Sequence, residues 1–111
     1  MLFSMSESNV PAPPVSDAYE IAKAGGPHHG WLEKQRKLPT VKLLKSIRSL
    51  EKQIALHRQW IADPYSKLPA DTPLDRIDDL VQSKWPHDIQ RQQEQIAILQ
   101  GVLHERSFNE T

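Results

Sequence analysis

VKLLKSIRSLEKQIALHRQWIA, residues 41–62, decides how this chain folds. Leu43, Ile47, Leu50, Ile54, His57 and Ile61 recur at spacings of 4, 3, 4, 3 and 4. That is a heptad seam with one histidine inside it, and it predicts a helix about 33 Å long. Thr40 stands before it as a cap, and Asp63-Pro64 stops it. An apolar seam needs a partner, and residues 87–106 supply one. Ile89, Gln92, Ile96, Leu99, Leu103 and Arg106 repeat at 3, 4, 3, 4 and 3. Gly101 weakens this second helix by about 1 kcal/mol relative to alanine and permits close packing there. Antiparallel pairing sets Ile61 near Ile89, and Leu43 near Leu103 and Arg106.

Outward from this pair the elements are short. Residues 1–15 carry three prolines and no periodicity, and read as a flexible leader or linker ahead of one domain over 16–111. Pro13-Pro14 forbids helix at that point, because proline lacks the amide donor and clashes with the preceding turn. Ser16 caps a short helix over 17–24, which Gly25-Gly26-Pro27 ends through a left-handed C-cap. His28-His29-Gly30 is then a polar turn, anchored by Trp31 and Leu32, with a helical turn over 31–37. Pro73 opens a further helix over 73–84 with Leu74, Ile77, Leu80 and Val81 on one side, and Trp85-Pro86 breaks it. No strand-like alternation of useful length occurs. The expected fold is all-α: an antiparallel hairpin of two long helices with two or three short helices packed on it.

At 111 residues with 38% hydrophobic content, the chain has room for one thin core. No apolar run is long enough to span a bilayer, and the first residues lack the pattern of a cleavable signal peptide. The absence of cysteine excludes a disulfide framework, a thiol nucleophile and a Cys-based zinc site. Neither an HxH nor an HxxxH pair is present, so no metal or other cofactor is expected.

The zero net charge is unevenly laid out. Residues 1–32 balance to −2, residues 33–58 to +6 and residues 59–111 to −4. Such asymmetry marks either an anion-binding face or a basic stretch that pairs with acids inside the fold. Lys42, Lys45, Arg48 and Lys52 fall on one helical face that suits a nucleic-acid backbone. The bland counterpart is a solvated face. Trp31, Trp60 and Trp85 are core anchors before they are base-stacking platforms.

The topology carries the GGPHHG turn toward the end of the hairpin that holds His104, Glu105 and Arg106, with Lys42 and Lys45 within reach. Such a set suits metal-independent phosphodiester cleavage. One histidine takes a proton, a second histidine or a glutamic acid returns one, and Arg and Lys stabilise charge on the phosphoryl oxygens. Against this, His28 reads as a helix cap and His29 as solvated. His57 reads as a register-setting polar core residue opposite Gln92 or Gln93, or else as a catalytic histidine in a groove.

Residues 17–64 and 84–106, through the stretches DAYEIAKAGGPHHGWLEKQ, SIRSLEKQIALHRQWIADP and KWPHDIQRQQEQIAILQGVLHER, resemble C-terminal toxin modules of bacterial polymorphic toxins, of the rearrangement-hotspot and contact-dependent inhibition type. The resemblance spans about 70 of the 111 residues. It implies a small helical effector, often a ribonuclease, neutralised by a cognate immunity protein. Delivery into the target-cell cytoplasm without a cleavable signal is implied; otherwise the protein is cytoplasmic. Carried over by position, the catalytic candidates are His28, His57, Glu105 and Arg106. The chain shows no repeat shell, pretoxin cleavage motif or delivery domain. Two other readings stay open: a non-catalytic helical protein-interaction module, and a nucleic-acid binder without chemistry.

Overall fold

The computed structural model describes residues 13–109, and these are all-α. Helix α1 spans Pro13–Lys23, α2 His29–Gln35, α3 Thr40–Ala62, α4 Leu74–Asp79 and α5 Trp85–Asn109. A short 3₁₀ turn, Pro64–Ser66, follows α3, and a π-helical turn, Leu80–Lys84, joins α4 to α5. Of the leader expected over 1–15, residues 1–12 lie outside the described residues and residues 13–15 are helical. Pro13-Pro14 opens α1 rather than forbidding it, so Ser16 lies within the helix and is not its cap. First-turn amides have no intrahelical acceptor, so proline loses nothing there.

Helix α5 is the central element, and both α1 and α3 pack along it. Thr40 meets Arg106, His57 meets Asp88 and Trp60 meets Trp85, so α3 and α5 run antiparallel. The core is Ala18 and Ala22 of α1, Leu32 of α2, Leu43 of α3 and Ala97, Ile98, Leu99 and Val102 of α5. Burying each large side chain of this set contributes about 1.5–3 kcal/mol. Trp31, Ile47, Leu50 and Leu103 pack on its flank.

Helix α1 stops as expected. Gly25 has φ +100°, Gly26 N–H reaches back to the Ile21 carbonyl at 2.9 Å, and Gly25 N–H to that of Ala22 at 3.1 Å. These are the two bonds of a Schellman cap.

Other elements depart from the sequence expectation. Thr40 is the first residue of α3, not its cap; its hydroxyl accepts instead from Arg106. Of the apolar residues placed on one side of the helix over 73–84, Leu80 is buried while Leu74 is 77% exposed. Trp85-Pro86 does not break the chain direction. Pro86 has no N–H and crowds the carbonyl four residues back. The wide π turn before it accommodates both defects, and Trp85 N–H bonds the Leu80 carbonyl. The second long helix therefore starts at Trp85, and Trp60 sits against Trp85. Ile61 thus lies level with the start of α5, about one turn from the Ile89 pairing that the seam suggested.

Candidate functional site

Helix α5 carries acidic side chains at three stations, and each predicted catalytic residue belongs to one of them. From Asp88 to Glu94 is about 9 Å along the helix, and from Glu94 to Glu105 roughly 16 Å. The expected convergence of His28 and His29 with Glu105 and Arg106 is therefore absent.

At the first station His57 is buried. Its Nδ1 lies 2.8 Å from the Gln53 carbonyl and so donates to it, while Nε2 lies 3.5 Å from Asp88 Oδ2. Trp60 packs on the ring at 4.6 Å between centroids. Lys84 Nζ donates to Asp88 Oδ2 at 3.1 Å, and Arg91 Nη1 to Oδ1 at 3.2 Å. Burial pushes the Asp88 carboxyl up, but the Lys84 hydrogen bond and the charges of Lys84, Arg91 and His57 outweigh it and hold the group below its ordinary value. His57 thus pairs with Asp88, not with Gln92 or Gln93, whose places the seam suggested. Gln92 is buried with its Oε1 unpartnered. Asp88 lies beside the seam as it runs through Ile89, and its spacing of four residues before Gln92 is the one signal that could have found it.

At the second station His28 holds φ +72°, the left-handed region, as the residue before α2. A non-glycine residue there costs about 1–2 kcal/mol. Its Nε2 lies 3.2 Å from Glu94 Oε1, and both side chains are about three-quarters buried. With Ala18, Ile21 and Pro27 they line a cavity of about 170 Å³. His28 makes no side-chain capping bond. His29 Nδ1 instead donates to the Ala22 carbonyl at 2.9 Å, satisfying an end carbonyl of α1. Glu94 carries no sequence signal, because it lies off the seam on the face that α1 covers.

At the third station Glu105 takes Arg36 Nη2 at 2.6 Å and Nε at 3.1 Å, and accepts from the Tyr19 hydroxyl. Arg36 Nη1 also donates to Glu33 at 2.7 Å. The Arg36 hydrogen bond holds the Glu105 carboxyl below its ordinary value against the effect of burial. Burial, then the Glu105 hydrogen bond and charge, push the Tyr19 hydroxyl up to about 12. Arg106 donates to Thr40 Oγ1 at 2.9 Å and to the backbone carbonyls of Arg36 and Leu38. Its guanidinium ties the α2–α3 connection to α5 and is not aimed at an open phosphate site.

The basic stretch behaves differently. Of the eight bases in residues 33–58, only Arg36 forms an ion pair among the described residues. Lys42, Lys45, Arg48 and Lys52 are exposed. They occupy the face of α3 opposite Leu43, Ile54 and His57, and run for about 15 Å. Lys34 and Lys37 are exposed at the same end. The charge asymmetry is thus not cancelled inside the fold.

No group of three or more His, Asp or Glu suited to holding a metal ion occurs among the described residues, nor is any of their helices long and apolar enough to cross a membrane. Comparison with protein-family models, with curated proteins and with solved structures finds no match.

Proposed function

We propose that this chain is a small helical module that binds the phosphodiester backbone of a nucleic acid through the outer face of α3. The scaffold is read as an antiparallel hairpin of α3 and α5 with the short helices packed on it. One observation carries the proposal: Lys42, Lys45, Arg48 and Lys52 stand exposed on a rigid helix with no acidic partner among the described residues. Like charges held this close repel one another, and a polyanion relieves that repulsion while releasing condensed counterions. Four phosphate contacts give a slope of about −3 in log K against log salt for a single strand. Fluorescence anisotropy with a labelled single-stranded RNA tests this. The expected result is that slope, with most affinity lost in a Lys45→Glu, Arg48→Glu double variant. Salt-independent binding, or an unaffected double variant, would refute it.

A second reading is favoured by His28, the only non-glycine residue with positive φ among the described residues. Backbone strain held against a carboxylate beside a cavity suits an acid–base centre. A toxin-type ribonuclease would then use His28, oriented by Glu94, as its proton carrier, and a cognate immunity protein would cover it. His57 and Arg106 would be structural. His28→Gly keeps the turn, because glycine accepts the left-handed conformation without strain. Cleavage of total RNA by the wild type and not by this variant supports the reading. Intact RNA with the wild type at high protein concentration, and harmless expression in cells, count against it.

A further inference from the structure

The charge separation in this chain is matched by a separation of exposed apolar surface. At one end, Val41, Leu44, Lys45 and Arg48 fall at i, i+3, i+4 and i+7 of α3, with Val41 65% and Leu44 43% exposed. They form a ridge that is apolar along one edge and cationic along the other. At the other end, Ile61 and Pro64 at the close of α3 and Leu74, Ile77 and Val81 across from them line a shallow, open groove of about 560 Å³. Asp75 and Asp78 line it as well. Residues 63–79 hold Asp63, Asp71, Asp75, Asp78 and Asp79 against Lys67 and Arg76. None of these five carboxylates forms an ion pair among the described residues.

We propose that the occupant of this groove is a second copy of the chain, which inserts the Val41–Leu44 ridge of its α3 and sets Lys45 and Arg48 on the aspartates of the rim. The mode is helix-in-groove, with apolar anchors in the cleft and opposite charges around it. Residues 1–12 are the poorer occupant, since they contain Glu7 and no lysine or arginine. Val41 and Ile61 are about 30 Å apart on one helix, so ridge and groove of the same molecule do not meet. The contact is heterologous, and it propagates head to tail instead of closing on a two-fold axis. It is independent of the nucleic-acid reading, although both use the cationic edge of α3.

Sedimentation equilibrium across a concentration series at low salt tests the proposal. The weight-average mass is expected to climb from the monomer's 12.7 kDa past twice that value, and to fall back as salt screens the rim charges. Val41→Ser and Leu74→Ser alter side chains that are largely exposed, so both should keep the wild-type circular dichroism spectrum. Each alone should be monomeric. Mixed in equal amounts, they should form a heterodimer and nothing larger, since the mixture retains one intact ridge and one intact groove. A wild type that stays monomeric, an association indifferent to Leu74→Ser, or a mixture that stays monomeric overturns the proposal. A species that stops at twice the mass overturns the head-to-tail arrangement. Leu74→Ser should bind RNA as the wild type does, so failure here and failure of nucleic-acid binding are separately visible.

Discussion

Glu105 receives two nitrogens of Arg36 and the Tyr19 hydroxyl, joining α1, the residue after α2, and α5 through one carboxylate. This group carries a pH dependence at both extremes. Glu105 and Asp88 titrate below their ordinary values when folded, so the unfolded chain takes up those protons at higher pH. Their contribution is full above the ordinary carboxylate range of about 4 and is lost as pH falls through the lowered folded values. Tyr19 is raised to about 12, so its contribution is full below about 10 and is lost as pH climbs past that. Urea titrations across pH should therefore show a decline on each side. Tyr19→Phe should remove the alkaline decline and cost about 1 kcal/mol at neutral pH. Glu105→Gln should weaken the acid decline and cost about 2 kcal/mol. An unchanged alkaline limb in Tyr19→Phe would show that the hydroxyl is not held as described.

The elements meet where a glycine makes room. A Cβ on Gly101 would come within 2.1 Å of the Tyr19 ring, so α1 lies on α5 only because that side chain is missing. Helix propensity alone favours Gly101→Ala by about 1 kcal/mol. Overpacking costs about 1–3 kcal/mol, and the ring cannot swing aside without leaving Glu105. The net expectation is destabilisation in thermal melts. In a Tyr19→Ala background the same substitution should instead stabilise, as the clash is gone. Gly101 announced a close approach in the sequence, but the approaching residue was not legible, because α1 lies more than seventy residues away and has no periodic signature pairing it with α5. The π turn at Leu80–Lys84 has no local signature for a related reason. Proline in a helix is costly in α geometry, and only the context reveals that a π turn has absorbed the cost.

At the scale of the whole molecule, the cationic face of α3 and the acidic end at α4 coexist on a chain of zero net charge. A polyanion that binds only the folded form should raise the melting temperature. At a hundred times its dissociation constant it contributes about 2.7 kcal/mol, roughly 10–20 °C for a domain near this size. It should also dissolve the head-to-tail assembly, since both need Lys45 and Arg48. A thermal-shift series with an oligonucleotide, run beside the Lys45→Glu, Arg48→Glu variant, checks the first effect. Sedimentation with and without the oligonucleotide checks the second.

Local pattern determined much of this protein by itself. The heptad seams set the two long helices, Gly25 set the end of α1, and the clustering of bases set a charged face on α3, because each depends on neighbours within a few residues. Only the tertiary structure decided the partners. It sent His28 to Glu94, His57 to Asp88 and Arg106 to backbone carbonyls, and so dispersed the residues that topology had seemed to gather. The physical reason is that a helix rises only 1.5 Å per residue. The eleven residues from Glu94 to Glu105 therefore put about 16 Å between groups that a sequence places at the same end, and the turn that seats Pro86 shifts the start of α5 by about one turn against α3.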